Sequence, residues 1–142
     1  MNILIWSTYY LFFDQTPVLM TTQEVASKLV ALCSQGKWQQ AHDELYSRDA
    51  ESIEPVGTPW GNVKGMEAIA KKGEQWSAGI EEFHGAELSE PVVAENFFAV
   101  RMESDTTMKG MGRMKFEELA LYEVKDGKIV KEQFFYTPPP QS

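Results

Sequence analysis

Hydrophobic positions recur at helical spacing through the first half of the chain, and from Glu82 onward they alternate with polar ones. That change of period divides the sequence. Thr21 followed three residues later by Glu24 is the signature of a capping box. Val25, Leu29 and Leu32 then follow at helical spacing with Cys33 beside them, and Gly36 ends the run. A second helix is expected over 37–45, with Trp38, Ala41 and Leu45 on one face and His42 read as a helix-surface residue. A third is expected over 65–77, its inner stripe made of Met66, Ile69, Gly73 and Trp76. Ile80 extends that stripe if the helix passes Gly79.

The strand-like runs cover 83–88, closed by Glu90-Pro91, then 92–104 with a break near Glu95-Asn96, then 111–124 and 128–136. Lys125-Asp126-Gly127 between the last two is a hairpin signal. Pro138, Pro139 and Pro140 cannot join a ladder, so residues 138–142 are expected to be a disordered tail. Helices followed by antiparallel strands predict an α+β domain with its helices on one face of the sheet.

Residues 1–19 stand apart from this pattern. Ile3 to Trp6 and Tyr9 to Phe13 form greasy runs too short to span a bilayer, without the basic start or small-residue site of a secretory signal. Met20-Thr21-Thr22-Gln23-Glu24 reads as a natural start, and 1–19 as a poorly ordered extension. The alternative is an added strand or helix docked over an apolar groove.

Between the second and third helices lies the stretch on which candidate chemistry concentrates. Glu54 ends a short strand, because Pro55 pushes it toward extended backbone and removes a donor, and Gly57 supplies a turn. A carboxylate at a strand end sits at a rim, where functional groups collect. Composition narrows the partners. A chain of 142 residues with 43% hydrophobic and 24% charged residues is globular, and its net charge of −8 argues against nucleic acid or an anionic membrane. A cytoplasmic location is expected. Cys33 alone excludes an internal disulfide and reads as a small buried hydrophobe. No Cys/His cluster has metal-ligand spacing and no glycine-rich phosphate loop is present, so neither metal nor cofactor is expected.

The residues Tyr46-x-x-Asp49-Ala50-x-x-x-Glu54-Pro55-x-Gly57, then Gly65-Met66-Glu67-Ala68-Ile69, and the closing 122–130 run Tyr-Glu-Val-Lys-Asp-Gly-Lys-Ile-Val resemble the signature of SnoaL-like and ketosteroid-isomerase-like proteins. These belong to the wider nuclear-transport-factor-2-like superfamily. The resemblance covers 21–136, so residues 20–137 are read as one SnoaL-like domain. It implies three helices held in a cone-shaped antiparallel sheet whose cavity is the active site and whose convex face makes a homodimer. Leu119, Leu121 and Phe135, on the strand face away from the cavity, form an apolar stripe that suits such a dimer.

By the resemblance, the sets containing Ala120 and Phe134 point into the cone. Glu54 matches the carboxylate that removes a proton alpha to a carbonyl, one methylene longer than the family's aspartate. The family's second carboxyl, a strand aspartate, matches Ala120, and its helix tyrosine falls near Leu29 or Leu32. The resemblance therefore implies no steroid isomerisation by the family route. Glu118, on the same strand face as Ala120, is the candidate substitute, with His84 assisting. Arg101, Glu103, Phe116, Tyr122, Glu132, Phe134 and Tyr136 are candidate pocket residues, and Trp38, Trp60 and Trp76 candidate walls. A structural alternative pairs Arg101 with Glu118 and leaves His84 as a hydrogen-bond donor. The expected function is cofactor-free acid/base chemistry on a small hydrophobic carbonyl compound; the alternative is a ligand-binding or dimeric scaffold module.

Overall fold

The computed structural model describes residues 18–138; the expected extension and the end of the tail lie outside the described residues, apart from 18, 19 and 138. The elements are α1 (Thr22–Cys33), α2 (Trp38–Leu45), β1 (Tyr46–Ile53), β2 (Val63–Lys64), α3 (Met66–Ala78), β3 (Ile80–Leu88), β4 (Val92–Ala94), β5 (Phe97–Met108), β6 (Gly112–Lys125) and β7 (Lys128–Phe135).

Helix α1 begins at the capping box. Thr21 Oγ1 accepts from the Glu24 amide at 3.1 Å, and Glu24 Oε1 accepts from the Thr21 amide at 3.2 Å. Its Val25, Ala26, Leu29, Leu32 and Cys33 are buried against Ala41 and Leu45 of α2, Ile69 of α3 and the inner face of the sheet. Each such side chain withdrawn from water contributes roughly 1.5–3 kcal/mol for the larger aliphatics.

The strands form a seven-stranded curved, unclosed sheet in the order β2-β1-β7-β6-β5-β3, with β4 paired to β5. Strict alternation on β5 and β6 sends Phe98, Val100, Met102, Ala120, Tyr122 and Val124 to the helix side. Phe98 and Tyr122 are cross-strand partners, and their rings stack at 4.7 Å. Register shifts on the β1–β7, β3–β5 and β6–β7 ladders accompany the bend of the sheet.

The α+β cone expected from the sequence is present, with two local differences. The sheet is mixed, because β1 pairs β7 in parallel. No hairpin joins these strands, so nothing obliges them to run opposite ways. The third helix stops at Ala78, and Ile80, considered as an extension of its stripe, opens β3 instead. The Asp126-Gly127 turn has both residues at positive φ, 50° and 74°, as a tight hairpin requires. A Cβ on Gly127 would lie 3.0 Å from the Met20 backbone nitrogen, so the chain entering α1 passes directly over this turn. On the far face of the sheet, Leu119, Leu121 and Phe135 are 55%, 39% and 48% exposed in the single chain.

Candidate functional site

The helices do not fill the cone. A partly open cavity of about 200 Å³ remains between them and the inner face of the sheet. Its walls are largely aromatic: Trp38 from α2, Trp60 from the β1–β2 connection, Trp76 from α3, Phe116 and Tyr122 from β6, Phe134 from β7 and Tyr136 just beyond it. Trp60 meets Trp76 edge-on at 6.0 Å, Trp76 meets Phe116 at 5.9 Å, and Phe116 meets Tyr136 edge-on at 4.9 Å, a continuous wall of rings.

Into this apolar space the fold directs three carboxyl groups, Glu54, Glu118 and Glu132. Each has a different environment. Glu132, 3% exposed on β7, accepts from Ser52 Oγ at 2.7 Å and from the Tyr46 hydroxyl. Both donors sit on β1, the parallel neighbour of β7, which places Ser52 beside Glu132 in register. Glu54 stands just past the end of β1. Its Oε1 pairs with Lys72 Nζ at 3.0 Å, its Oε2 accepts from the Tyr136 hydroxyl at 2.8 Å, and its amide donates to Asn62 Oδ1 at 3.0 Å. Lys72 Nζ also donates to Ser52 Oγ and lies 5.5 Å from the centroid of the Phe134 ring. The two carboxylates are thus linked through Ser52 and Lys72.

Glu118 is different. Its carboxyl takes part in no hydrogen bond or ion pair among the described residues. Burial, reinforced by the negative charges of Glu54 and Glu132 and only partly offset by Lys72, pushes its pKa up to about 8. At neutral pH it is mainly the protonated acid. Burial also pushes the Cys33 thiol up to about 12, lowers the pKa of His42, and holds the Tyr46 and Tyr122 hydroxyls well above their ordinary value. Tyr136 is raised as well, by burial and then by its bond to Glu54, so it remains a donor.

Of the residues singled out in the sequence, Glu54, Glu118, Trp38, Trp60, Trp76, Glu103, Phe116, Tyr122, Glu132, Phe134 and Tyr136 all line this cavity. Two do not. His84 lies away from it on β3, where Nε2 meets Thr107 Oγ1 at 2.7 Å and Nδ1 faces Glu82 at 3.9 Å. The register shift between Phe83 and Gly85 on the β3–β5 ladder breaks the alternation that would have turned His84 inward. Arg101 sits on the outer face of β5. It pairs with Glu117 at 2.9 Å and Glu103 at 3.0 Å rather than with Glu118, because Arg101 and Glu118 occupy faces of opposite parity across the β5–β6 ladder. Glu103 contributes to the lining, but its carboxylate is drawn to Arg101 and, at 3.5 Å, to Lys115.

Sequence reasoning missed Lys72 and Ser52, and carried Tyr46 only as the first residue of the family signature. The signal for Lys72 was available: it falls between Ile69 and Trp76 on the inner stripe of α3. His42, read as a surface residue, lines the cavity and meets Tyr46 edge-on at 4.8 Å. Among the described residues no helix is long and apolar enough to cross a membrane, and no group of three or more His, Cys, Asp or Glu has the arrangement of a metal site.

A curved, unclosed sheet wrapped over the three helices of the described residues, with ionisable groups inside the cone, defines the nuclear-transport-factor-2-like class of fold. The chain belongs to the SnoaL-like domain family, which matches residues 20–136. It is similar to a solved protein from Mesorhizobium loti described as a SnoaL-like polyketide cyclase. The two are 35% identical, the match covers 82% of this chain and 100% of that one, and the TM-score is 0.77. An NTF2-like protein from Burkholderia thailandensis shares the fold at 15% identity, with 82% and 91% of the two chains covered and a TM-score of 0.71. A protein with a ketosteroid isomerase-like fold from Catenulispora acidiphila, solved in complex with trimethylamine, shares it at 16% identity, 80% and 85% coverage and a TM-score of 0.65. None of the curated proteins compared with the chain matches it.

Proposed function

We propose that the cavity performs cofactor-free proton transfer on a small, neutral, hydrophobic carbonyl compound, chemistry of the isomerase or cyclase type. One observation carries this reading: Glu118 is an unpartnered carboxylic acid in an aromatic cavity whose burial raises its pKa, beside Glu54, whose carboxyl group is paired with Lys72 and Tyr136. Two carboxyls in such unequal environments, one paired with a cation and one unpartnered, are the arrangement that assigns a base and an acid. Protonated Glu118 donates a hydrogen bond to the substrate carbonyl and draws electron density from the adjacent carbon. Glu54, fixed by Lys72 and Tyr136, takes the α-proton. A pKa close to the ambient pH lets Glu118 give and recover a proton with little cost in either direction. The aromatic wall binds the apolar body of the substrate and excludes water, and the cavity volume of about 200 Å³ limits the ligand to a small molecule. Assembly as a homodimer through Leu119, Leu121 and Phe135 belongs to the same reading, supported by their exposure on one face.

The experiment is solvent deuterium exchange at the α-carbon of a panel of neutral alicyclic and aryl ketones, followed by proton NMR in D₂O. Wild-type protein accelerates exchange above buffer, and Glu118→Gln and Glu54→Gln each lose roughly 100-fold, the scale of one general acid or base.

A second reading, a ligand-binding module, is favoured by Ala120 standing where the family carries an aspartate and by the full set of partners around Glu54. Ketones that bind the wild type without accelerated exchange decide for that reading.

A further inference from the structure

Resting on the proton-transfer reading, we propose that Lys72 is a third catalytic residue, the cation that takes up the charge of the enolate oxygen. Among the described residues lining the cavity it is the sole lysine or arginine, in a lining that includes Glu54, Glu118 and Glu132. Its side chain is 12% exposed, and its stem reaches inward from the stripe of α3 between Ile69 and Trp76. The ammonium is anchored by Ser52 on one side and Glu54 on the other, with the Phe134 ring beneath it. An ammonium carries three N–H groups, and these contacts leave a third donor for a ligand in the cavity.

The charge balance of the step explains why a cation must stand here. Glu54 takes the α-proton; the C–H pair becomes the new carbon–carbon double bond; the carbonyl π pair moves onto oxygen. Glu54 becomes neutral as the oxygen becomes negative, so the cavity's charge moves without changing. Lys72, 3.0 Å from the base, loses its anionic partner at the moment an enolate forms nearby. Its hydrogen bond passes from Glu54 Oε1 to the enolate oxygen, which Glu118 also supports. Return of the proton to carbon restores the pair. A donor strengthened only as charge develops lowers the barrier, whereas one equally engaged with the substrate does not.

A structural role alone, in which Lys72 only neutralises Glu54, makes a different prediction in a charge-balanced variant. The probe is 4-nitrophenol, whose absorbance separates the phenolate, a mimic of the enolate, from the neutral phenol. Lys72→Met is expected to weaken phenolate binding about tenfold or more, the scale of a charge-assisted hydrogen bond, with phenol binding little changed. The Lys72→Met/Glu54→Gln double variant removes cation and anion together. If Lys72 contacts the anion itself, the double variant stays as weak as the single one. Recovery of wild-type phenolate binding in the double variant overturns the proposal. Circular dichroism checks folding; if the single variant unfolds, the double variant against wild type decides alone. The two claims also fail separately. Ketone exchange that survives in Lys72→Met removes only the role of Lys72. Absence of exchange in the wild type removes the proton-transfer reading, while phenolate binding still reports on the lysine.

Discussion

At the residue scale the site rests on unequal treatment of three glutamates. Glu132 and Glu54 are met by hydrogen-bond donors in a confined space, while Glu118 has none and its pKa is raised by burial. This has a measurable sign. The unfolded chain ionises Glu118 near the ordinary glutamate value, and the folded chain only near 8. Between those values the folded form holds the extra proton, so stability from this group is full at low pH and is lost as pH rises toward and through about 8. Glu118→Gln, neutral at every pH, lacks that loss. Thermal unfolding is expected to show the variant gaining on wild type from pH 5 to pH 9, by an amount on the order of a few kcal/mol. A difference that stays flat across this range contradicts a raised pKa at Glu118.

At the element scale the sequence spoke clearly wherever one period ruled a segment. The capping box at Thr21 and the stripe of α3 are read from spacing alone, while on β6 spacing sorts the two faces and the family resemblance says which one enters the cone; all three agree with the structure. What spacing could not reveal came from pairing between distant segments. Glu132 reads as one more alternating residue until β7 lies parallel to β1 and brings Ser52 and Tyr46 against it. His84 failed for a related reason, since a register shift in its ladder is invisible in a period-two count. Lys72 was hidden by its chemistry. Its position lies on the inward stripe, but a lysine there reads as solvated surface until a buried acid is known to await it.

For the whole molecule, the cone divides the sheet into a concave face that holds the site and a convex face with no covering element among the described residues. Leu119 and Phe135 are register partners there, with Leu121 on the same face of β6 and all three partly exposed. Covering that stripe with a second copy removes apolar surface that a monomer leaves in water. Light scattering at micromolar concentration is expected to give a dimer mass for the wild type and a monomer mass for Leu121→Glu, which places a charge inside the contact. A monomeric wild type, unchanged by the substitution, contradicts this assembly. The dimer would leave the cavity accessible, because its walls come from the opposite face of the sheet.

The proposed chemistry depends on the proton of Glu118. The direct measurement is a pH titration of the Glu118 side-chain carboxyl carbon by NMR, assigned by comparison with Glu118→Gln. The expected result is a midpoint near 8, well above the ordinary carboxylate range. A midpoint in the ordinary range, about 4 to 5, would mean an ionised Glu118 at neutral pH, and no acid would stand in the cavity to meet a carbonyl.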